Sequence, residues 1–534
     1  MRKIRLRSCK KLTFRKLRNE TIHQPPSVTE RRTAQRDGQR FSKRIINLKK
    51  ETVMTKIENG INTPKEVQEY FESIKGNHAA LRQFFTAMPK GGDVHNHLTG
   101  SAYAETYFEL AAKKGMYVDL KTGKLYKEKP EDVETIQLSK DMDDLHNHRM
   151  ALIDKWSIRN FQPYKYPLGP DEYFFGTFGL LSALTSDIDD LAYLMHELKV
   201  RAVRENVQYL EVMATSPSVP TDCFLDEDYD TYDEQLKEHV KNGTYDDARK
   251  LLEKIIGEFD AKATEAVSDY VDFVHALDER SNTLKNHLGV DTENLVCRYQ
   301  GYSSRGSEPL KVFAQLYVVH KACKQDGGKL LAGCNIVAAE NGEKSMLYYR
   351  LHMEMFAALA TKFPDVPTSL HAGELTLGLG RPEHLTYHIG QAVNTAKAHR
   401  IGHGVDLPFE QDSDELLKVM QDKKIPVEIN LTSNEFILGV KDSEHPISLY
   451  HKAKVPLMLC TDDPGILRTS LTEQYTLAAL RYGFSYHEIK QFALNSIEYA
   501  FLTEENRDSL PNKLNDLLAE FEKKFYIEPT PEEN

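Results

Sequence analysis

Eight short apolar runs, rich in Val, Ile and Leu, alternate with longer amphipathic stretches from about residue 64 onward. This alternation is typical of parallel strands joined by crossover helices. Eight such strands close most economically into a (β/α)8 barrel, whose functional groups gather at the C-terminal ends of the strands. The sequence therefore predicts an α/β fold, a TIM-type barrel with helical insertions. The runs predicted as strands are 91–97, 207–215, 293–302, 329–338, 367–373, 399–404, 424–432 and 455–463.

The chain is longer than a minimal barrel, with 534 residues against about 250. Residues 225–290 are acidic with helical periodicity, and we interpret them as a helical insertion, with a second small domain as the alternative. The connection 105–175 is expected to shape or cover the mouth of the barrel. The predicted domains are thus a basic N-terminal extension, 1–53, and a barrel over 54–534.

Basic charge is concentrated at the N-terminus. The formal net charge is −11, yet residues 1–50 contain about 17 Lys and Arg and only about 3 acidic residues. This head has three interpretations: an arm for nucleic acid or a membrane surface, a targeting segment, or upstream sequence preceding a start at Met54. We favour the last, and expect the extension to be disordered. The strongly acidic remainder predicts no nucleic-acid partner for the rest of the chain, and the lack of a long apolar run predicts no membrane partner.

Composition excludes several other classes. The mean hydropathy of −0.52 and the lack of an apolar run of about 18 residues predict a soluble protein. Six cysteines without CxxC spacing argue against a disulfide framework, a Cys-type zinc site or an iron–sulfur cluster. A cytoplasmic location is predicted, with organellar targeting by the basic N-terminus as the alternative. The sequence does not specify the oligomeric state.

The first predicted strand carries two histidines, His95 and His97, in GGDVHNHLTGS. Residues two apart on a strand point to the same face, so both imidazoles can bind one ion. The same HNH triplet recurs at His146 and His148, but within a stretch of helical spacing. Positions two apart on a helix diverge by about 200°. We therefore predict that the second pair lies on a solvated helix face.

Titratable residues also end other predicted strands. His371 opens HAGEL, with Glu374 three residues later; His403 stands between glycines in RIGHG; Asp462 and Asp463 end VPLMLCTDDP. A lone histidine at a strand end is more often a core residue than a ligand. Four polar clusters at four strand ends of one barrel have no comparable structural explanation, because burying them is costly. A buried glutamate beside a metal could serve as general acid and base.

The motifs HNHLTGS, HAGEL, RIGHG and TDDP, in this order, resemble those of the adenosine deaminase family. These are zinc-dependent purine deaminases with (β/α)8 barrels, within the amidohydrolase superfamily. The resemblance extends over about three quarters of the chain. It implies one Zn²⁺ per chain, held by His95, His97, His371 and Asp462.

The resemblance also implies roles for the remaining motif residues. Glu374 would carry a proton to purine N1, His403 would orient the attacking water, and Asp463 would contact N7. Phe174 and Phe178 match an aromatic pair near the purine entrance, although two Phe four apart on a helix are more often core residues.

Two positions depart from the family pattern. Thr99 stands in HNHLTG where the family usually has an acid that helps hold the ribose. NIVAAE places Ala338 where a glycine backbone meets purine N3, with Glu340 at the acid position. A backbone donor survives the change from Gly to Ala only if the local angles permit it.

The predicted activity is hydrolytic deamination of adenosine or deoxyadenosine, a purine nucleoside substrate, to inosine or deoxyinosine plus ammonia. One alternative is a deaminase of AMP, N6-methyl-AMP or adenine. An AMP enzyme needs cations or donors for the phosphate, and SSRG (303–306) is the suggestive cluster, with an ordinary exposed loop as the other interpretation. The alternative from a different class is an inactive, deaminase-like signalling or binding protein.

Overall fold

A computed structural model describes residues 64–219, 225, 229–286 and 288–525. The predicted N-terminal extension lies outside these described residues. Among them, no helix combines the length and the apolar character that crossing a membrane would require.

The described residues form eleven strands, and every one of the eight predicted runs contains or overlaps one of them. The strands are β1 (Gly92–His97), β2 (Tyr117–Val118), β3 (Leu125–Tyr126), β4 (Ile136–Gln137), β5 (Tyr209–Met213), β6 (Val296–Ser304), β7 (Leu331–Val337), β8 (Ser369–Ala372), β9 (Arg400–His403), β10 (Val427–Ile429) and β11 (Leu457–Leu459).

Eight of these strands close into a parallel barrel. They form two four-stranded sheets, in the orders β1-β5-β6-β7 and β8-β9-β10-β11. Two parallel bridges join the sheets, between Asn96 and Asp462 at one seam and between Cys334 and Thr368 at the other. The Asp462 amide donates to the carbonyl of His95 at 2.9 Å. The predicted (β/α)8 barrel is therefore confirmed.

The barrel strands are apolar because both of their faces are covered. All seven residues of β7 are buried, as expected for a parallel strand between a barrel interior and an outer helix. Several predicted boundaries are wrong. β6 continues to Ser304, beyond the predicted 302, and β11 ends at Leu459, before the predicted 463. The run 424–432 was expected to be strand throughout, but β10 ends at Ile429 and Leu431 begins a helix. The polar sequence that follows Ile429 turns the chain out of the barrel.

Helices connect the strands and surround them. The described α-helices are α1 (Lys65–Ile74), α2 (His78–Ala87), α3 (Leu98–Ser101), α4 (Ala104–Lys114), α5 (Leu145–Lys155), α6 (Pro170–Leu181), α7 (Ile188–Arg204), α8 (Tyr229–Asn242), α9 (Tyr245–Lys262), α10 (Thr264–Thr283), α11 (Pro309–Asp326), α12 (Glu343–Lys362), α13 (His388–Asn394), α14 (Ser413–Lys423), α15 (Leu431–Leu438), α16 (Ile447–Lys452), α17 (Leu471–Tyr482), α18 (Tyr486–Glu498) and α19 (Glu504–Lys523). Short 3-10 turns occur at Ile158–Asn160, Pro163–Lys165, Pro382–Thr386, Leu407–Phe409 and Asp442–Glu444.

The crossover helix α11 shows how local sequence sets these elements. It begins with Pro309 in its first turn, where a missing amide proton is harmless, and it ends at Gly327, whose φ of +66° suits a left-handed C-cap. Leu310, Phe313 and Tyr317 are fully buried along it, and each such side chain contributes about 1.5 to 3 kcal/mol on burial.

The segment predicted as a helical insertion holds α8, α9 and α10, between β5 and β6. Their apolar residues, among them Tyr232, Leu252 and Phe259, are fully buried and belong to the same continuous apolar core as the barrel strands. The long connection after β1 contains a small antiparallel sheet of β2, β3 and β4, together with α4 and α5.

Candidate metal-dependent active site

Three histidines and one aspartate meet at the C-terminal end of the barrel. One ligand atom from each of His95, His97, His371 and Asp462 lies within 4.8 Å of the others. The two Nε2 atoms of His97 and His371 are 3.1 Å apart, and Asp462 Oδ1 lies 3.4 Å from His95 Nε2 and 3.3 Å from His97 Nε2. Three imidazole nitrogens and a carboxylate oxygen are a donor set that Zn²⁺ takes.

Strand geometry explains the convergence. His95 and His97 alternate along β1 and share a face, and the β1–β11 seam places Asp462 beside them. His95 Nε2 is buried, and apart from the long 3.4 Å approach of Asp462 Oδ1 it has no hydrogen-bond partner among the described residues. A buried polar atom without a partner is costly, so its position fits a metal ligand.

Each of two ligand imidazoles is oriented through its other nitrogen. His95 Nδ1 lies 2.6 Å from Glu428 Oε2, and His371 Nδ1 lies 2.9 Å from Asn335 Oδ1. Such partners fix the ring and leave Nε2 for the metal. Arg400 Nε donates in turn to Glu428 Oε1 at 2.5 Å.

These orienting residues were missed in the sequence. Glu428 lies inside the apolar strand β10 and Asn335 inside β7, and both are fully buried. A lone polar residue in the middle of a buried strand is the signal that could have found them, since charged residues are almost never fully buried without a partner.

The site is built to hold positive charge. Burial lowers the pKa of His97 to about 4 and that of His371 well below its ordinary value, which keeps both imidazoles neutral, as metal ligands must be. Burial acts in the same direction on His95, but hydrogen bonds with Asp462 and Glu428 prevail and raise its pKa to about 10. The two carboxylates therefore favour a cation between them.

Next to the ligands lies a second group formed by Glu374, His403 and Asp462, whose ligand atoms are also within 4.8 Å of one another. His403 Nδ1 lies 3.6 Å from Glu374 Oε1. Asn434 donates from Nδ2 to His403 Nδ1 at 3.0 Å, and His445 Nε2 lies 3.0 Å from Asn434 Oδ1. Because His403 Nδ1 accepts this hydrogen bond, the proton of the neutral His403 ring lies on Nε2. That atom has no hydrogen-bond partner among the described residues.

The three carboxyl groups of the site differ in charge. Burial raises the pKa of Glu374 well above its usual value, and the negative charges of Asp462 and Glu340 add to this. Burial and the neighbouring Asp462 likewise raise the pKa of Asp463. Burial opposes ionisation of Asp462 as well, but hydrogen bonding with His95 holds its pKa well below the usual range. Neighbouring carboxyl groups whose pKa values are shifted in opposite directions are typical of acid–base sites.

Asp463 depends on the glycine of HNHLTG. A Cβ built on Gly100 would lie 1.5 Å from Asp463 Oδ1, so only glycine leaves room for this carboxyl group. The amides of Gly465 and Ile466 donate to the Gly100 carbonyl at 2.9 and 3.0 Å, which fixes the segment that follows Asp463. Thr99 contributes its own carbonyl, which accepts from the Tyr107 hydroxyl at 2.7 Å.

Ala338 and the two phenylalanines lie near these strand ends. Ala338 directly follows β7 and has a φ of +82°, the region that favours glycine. Phe174 is buried on α6, and Phe178 is half-buried one turn later. Both pack in a small apolar cluster with Val405 and Ile466, two and three residues beyond His403 and Asp463.

The structure corrects the interpretation of SSRG. Residues 303–306 were expected to be either an exposed loop or a cluster that presents a cation to a phosphate. The structure shows neither, because Arg305 is 1% exposed and donates to the carbonyls of His371 at 2.6 Å and Ile336 at 3.2 Å. Ser303 is also buried, and its hydroxyl donates to Gln315.

The second HNH triplet lies on α5, as predicted. His146 is exposed and His148 is half-buried, and neither belongs to a candidate metal group among the described residues.

Sequence comparisons were made with known families and proteins. Residues 314–517 match the model of the adenosine deaminase family, a span that contains His371, Glu374, His403, Asp462 and Asp463. The chain is 24% identical over 436 residues to N6-methyl-AMP deaminase-L of Xenopus laevis, which covers 81% of this chain and 94% of that protein. It is 29% identical over 216 residues to an adenine deaminase of Candida albicans, 40% of this chain and 55% of that protein.

Solved structures show the same fold. The apo N6-methyl-AMP deaminase of Arabidopsis thaliana has a TM-score of 0.52 at 21% identity, over 82% of this chain and 99% of that one. An ADAL–IMP complex gives 0.53 at 21% identity, with coverage of 82% and 99%. A Burkholderia ambifaria amidohydrolase with bound zinc gives 0.53 at 18% identity, over 83% of this chain and 94% of that one.

Proposed function

We propose that the chain, whose residues 314–517 match the adenosine deaminase family model, is a zinc-dependent hydrolytic deaminase of 6-aminopurine nucleotides, with N6-methyl-AMP or AMP as substrate. The observation that carries this proposal is the placement of buried Glu374 beside the His95, His97, His371 and Asp462 quartet. The comparisons back this nucleotide alternative, or adenine, better than the adenosine that the motifs favoured first.

In this proposal His95, His97, His371 and Asp462 hold Zn²⁺. When bound there, Zn²⁺ would act as a Lewis acid that lowers the pKa of water, so that hydroxide is available at neutral pH. The donor set and the unpartnered His95 Nε2 are the observations of this chain that fit such an ion.

The remaining site residues move and hold protons. Glu374, whose raised pKa favours the protonated form, donates a proton to purine N1, which makes C6 electrophilic. His403 orients the water, whose oxygen bonds to C6 while one of its protons passes to the Glu374 carboxylate and restores the acid. The second proton of the water moves to N6 as the C6–N6 bond breaks, so that ammonia or methylamine leaves and the ring becomes a 6-oxopurine.

Asp463 orients the purine ring. Since its raised pKa keeps the carboxyl group protonated, it can donate a hydrogen bond to N7, which is an acceptor. The apolar cluster containing Phe174 and Phe178 offers surface for the ring and for a methyl group on N6, and burial of that methyl contributes about 0.8 kcal/mol.

The neutral side chain of Thr99, after the first strand, supports a nucleotide rather than a nucleoside as the substrate. Thr99 replaces the acid that the family usually places after its HxH motif. A carboxylate near the ribose would repel a 5′-phosphate, and its loss removes that repulsion. Arg305 is 1% exposed and its Nη2 donates to two backbone carbonyls, so we expect other groups to meet the phosphate.

The test is a substrate panel on the zinc-loaded full chain. AMP, N6-methyl-AMP, adenosine, deoxyadenosine and adenine are compared by kcat/KM from released ammonia or methylamine, with Glu374→Gln as the control for contaminating activity. We expect a nucleotide to exceed both nucleosides by at least about tenfold, or about 1.4 kcal/mol of discrimination. A tenfold preference for adenosine would refute the nucleotide assignment. No turnover of any substrate at full zinc occupancy would refute the enzyme and favour a binding protein.

A further inference from the structure

One short turn carries two central groups of the proposed site. The segment 371–374 provides His371 at its start and Glu374 at its end, with Gly373 between them at a φ of +75°. Its backbone is held by two side chains from neighbouring strands. Arg305 donates to the His371 carbonyl at 2.6 Å, and Glu340 accepts the amides of Gly373 at 3.1 Å and Glu374 at 2.9 Å.

Arg305 and Glu340 also form an ion pair. Arg305 Nη1 lies 3.5 Å from Glu340 Oε2, and both side chains are at most 1% exposed. Arg305 directly follows β6 and Glu340 closely follows β7, so the pair reaches across from the two strands that precede β8. A buried ion pair is weak evidence for stability, because desolvation offsets its attraction. Its placement on the backbone of 371–374 calls for another explanation.

The carboxylate of Glu340 is also held by a hydrogen bond with a buried histidine, His388. His388 Nδ1 lies 2.5 Å from Glu340 Oε1. Tyr349 stacks on the His388 ring at 3.6 Å and an angle of 14°, and its hydroxyl donates to the His388 carbonyl at 2.8 Å. All three side chains are buried, so Glu340 is fixed in one orientation.

We propose that Arg305 and Glu340 are positioning residues that hold the 371–374 turn and thereby set the location of Glu374 relative to the metal ligand His371. The catalytic part of this proposal rests on the proposed function. A misplacement of about 1 Å can lower a rate about 100-fold, and partners that orient a metal site typically affect affinity or activity 10- to 100-fold. We call Arg305 and Glu340 together the clamp. Because the clamp holds the turn and does not touch the substrate, its loss should lower kcat rather than raise KM.

The test compares Glu340→Gln, Arg305→Met and Arg305→Lys with a matched control. Glu522→Gln neutralises another buried carboxylate, which pairs with Lys490 at 2.7 Å outside the site. Three quantities are measured on the full chain: kcat and KM on the nucleotide substrate, hydrogen exchange of the 371–375 peptide, and the visible absorption of the Co²⁺-loaded protein, which reports ligand geometry.

For Glu340→Gln and Arg305→Met we expect kcat to fall about 10- to 100-fold with KM within about twofold, faster exchange of 371–375, and an altered cobalt spectrum. Arg305→Lys keeps one donor for the His371 carbonyl and should recover part of each effect. Glu522→Gln should alter none of them. Equal kcat, exchange and spectra in the site variants and the control would overturn the proposal, as would a rise in KM with unchanged kcat.

The exchange and cobalt measurements do not depend on any substrate. If the parent protein deaminates nothing, the proposed function fails, while faster exchange and an altered spectrum in Glu340→Gln still support the clamp. If Glu340→Gln and Arg305→Met do not fold, Glu340→Asp decides the question, because it retains the charge but withdraws the carboxylate from the amides of Gly373 and Glu374. A Glu340→Asp protein identical to the parent in all three measurements would then refute the proposal.

Discussion

A single methyl group at position 100 should separate substrate orientation from metal binding. In Gly100→Ala the new Cβ would lie 1.5 Å from Asp463 Oδ1, 2.4 Å from its Cγ and 2.7 Å from its Cβ. Ordinary contact needs about 3.5 Å, so the carboxyl oxygen must move by about 2 Å. Rotation of the side chain alone does not suffice, because the Asp463 Cβ is also too close.

The displaced carboxyl group can no longer meet purine N7 in the proposed pose. Removing one partner of a buried hydrogen bond leaves the other unsatisfied and costs about 1 to 3 kcal/mol, or about 5- to 150-fold. We therefore expect kcat/KM to fall by about 100-fold, while the protein still binds one zinc, because three histidine ligands stay in place. The assay is steady-state deamination combined with metal analysis of the same sample.

Gly257→Ala is the matched control. Gly257 also lies in a helix, α9, but its Cβ would meet nothing within 4 Å. This variant should keep its activity and gain up to about 1 kcal/mol in free energy of unfolding, the usual benefit of Ala over Gly in a helix. A Gly100→Ala protein whose kcat/KM stays within about threefold of the parent would refute the role of Asp463 and the packing argument together.

Four further outcomes are expected. Glu374→Gln should retain zinc yet lose about 10²- to 10⁴-fold in rate, whereas His371→Ala should lose zinc and activity together; similar zinc contents in the two would contradict the separation of roles. Glu428→Gln should weaken zinc affinity about 10- to 100-fold in a chelator competition, and an unchanged affinity would count against its orienting role. His146→Ala should leave zinc content unchanged by metal analysis. Burial lowers the pKa of His320 to about 4 from an ordinary 6.5. Between these two pH values the unfolded chain binds a proton at this histidine and the folded chain does not. The free energy of unfolding is therefore highest above pH 6.5 and falls by about 1.4 kcal/mol per pH unit toward pH 4. Urea unfolding at pH 7.5 and 5.5 should show a smaller loss for His320→Gln, and an equal loss would exclude this histidine as the cause.

The barrel was predictable because its strands carry a simple physical signature. Parallel strands covered on both faces read as continuous apolar runs, and β7 is an example with every residue buried. Strand ends at the C-terminal face then collect the polar residues. For this reason the sequence could place His95, His371 and Asp462 at one end of the barrel before their contacts were known.

The residues that orient the site histidines, such as Glu428, could not be predicted, because their contacts join distant parts of the chain. Glu428 and His95 are 333 residues apart, and Arg400 and Glu211 are 189 apart. Nothing local in an apolar strand indicates which partner its one carboxylate will meet. Only the register of the closed barrel brings these pairs together.

Arg305 shows the opposite error. Its neighbours Ser303, Ser304 and Gly306 have loop composition, so local sequence suggested an exposed cation. The side chain is instead buried, because the carbonyls of Ile336 and His371 lie within its reach. Burial here is set by strands that follow in the chain, and a local motif carries no information about them.

Backbone strain links the strand ends to the chemistry. Ala338, His403 and Asp462 follow or end β7, β9 and β11, and all three have a positive φ, at 82°, 67° and 63°. A non-glycine residue in such a conformation costs about 1 to 3 kcal/mol and persists only where the surroundings impose it. Ala338 holds a backbone angle that glycine would adopt without strain. The contacts around Ala338 must therefore offset this cost, and in the proposed site the same backbone would be available to meet a ligand.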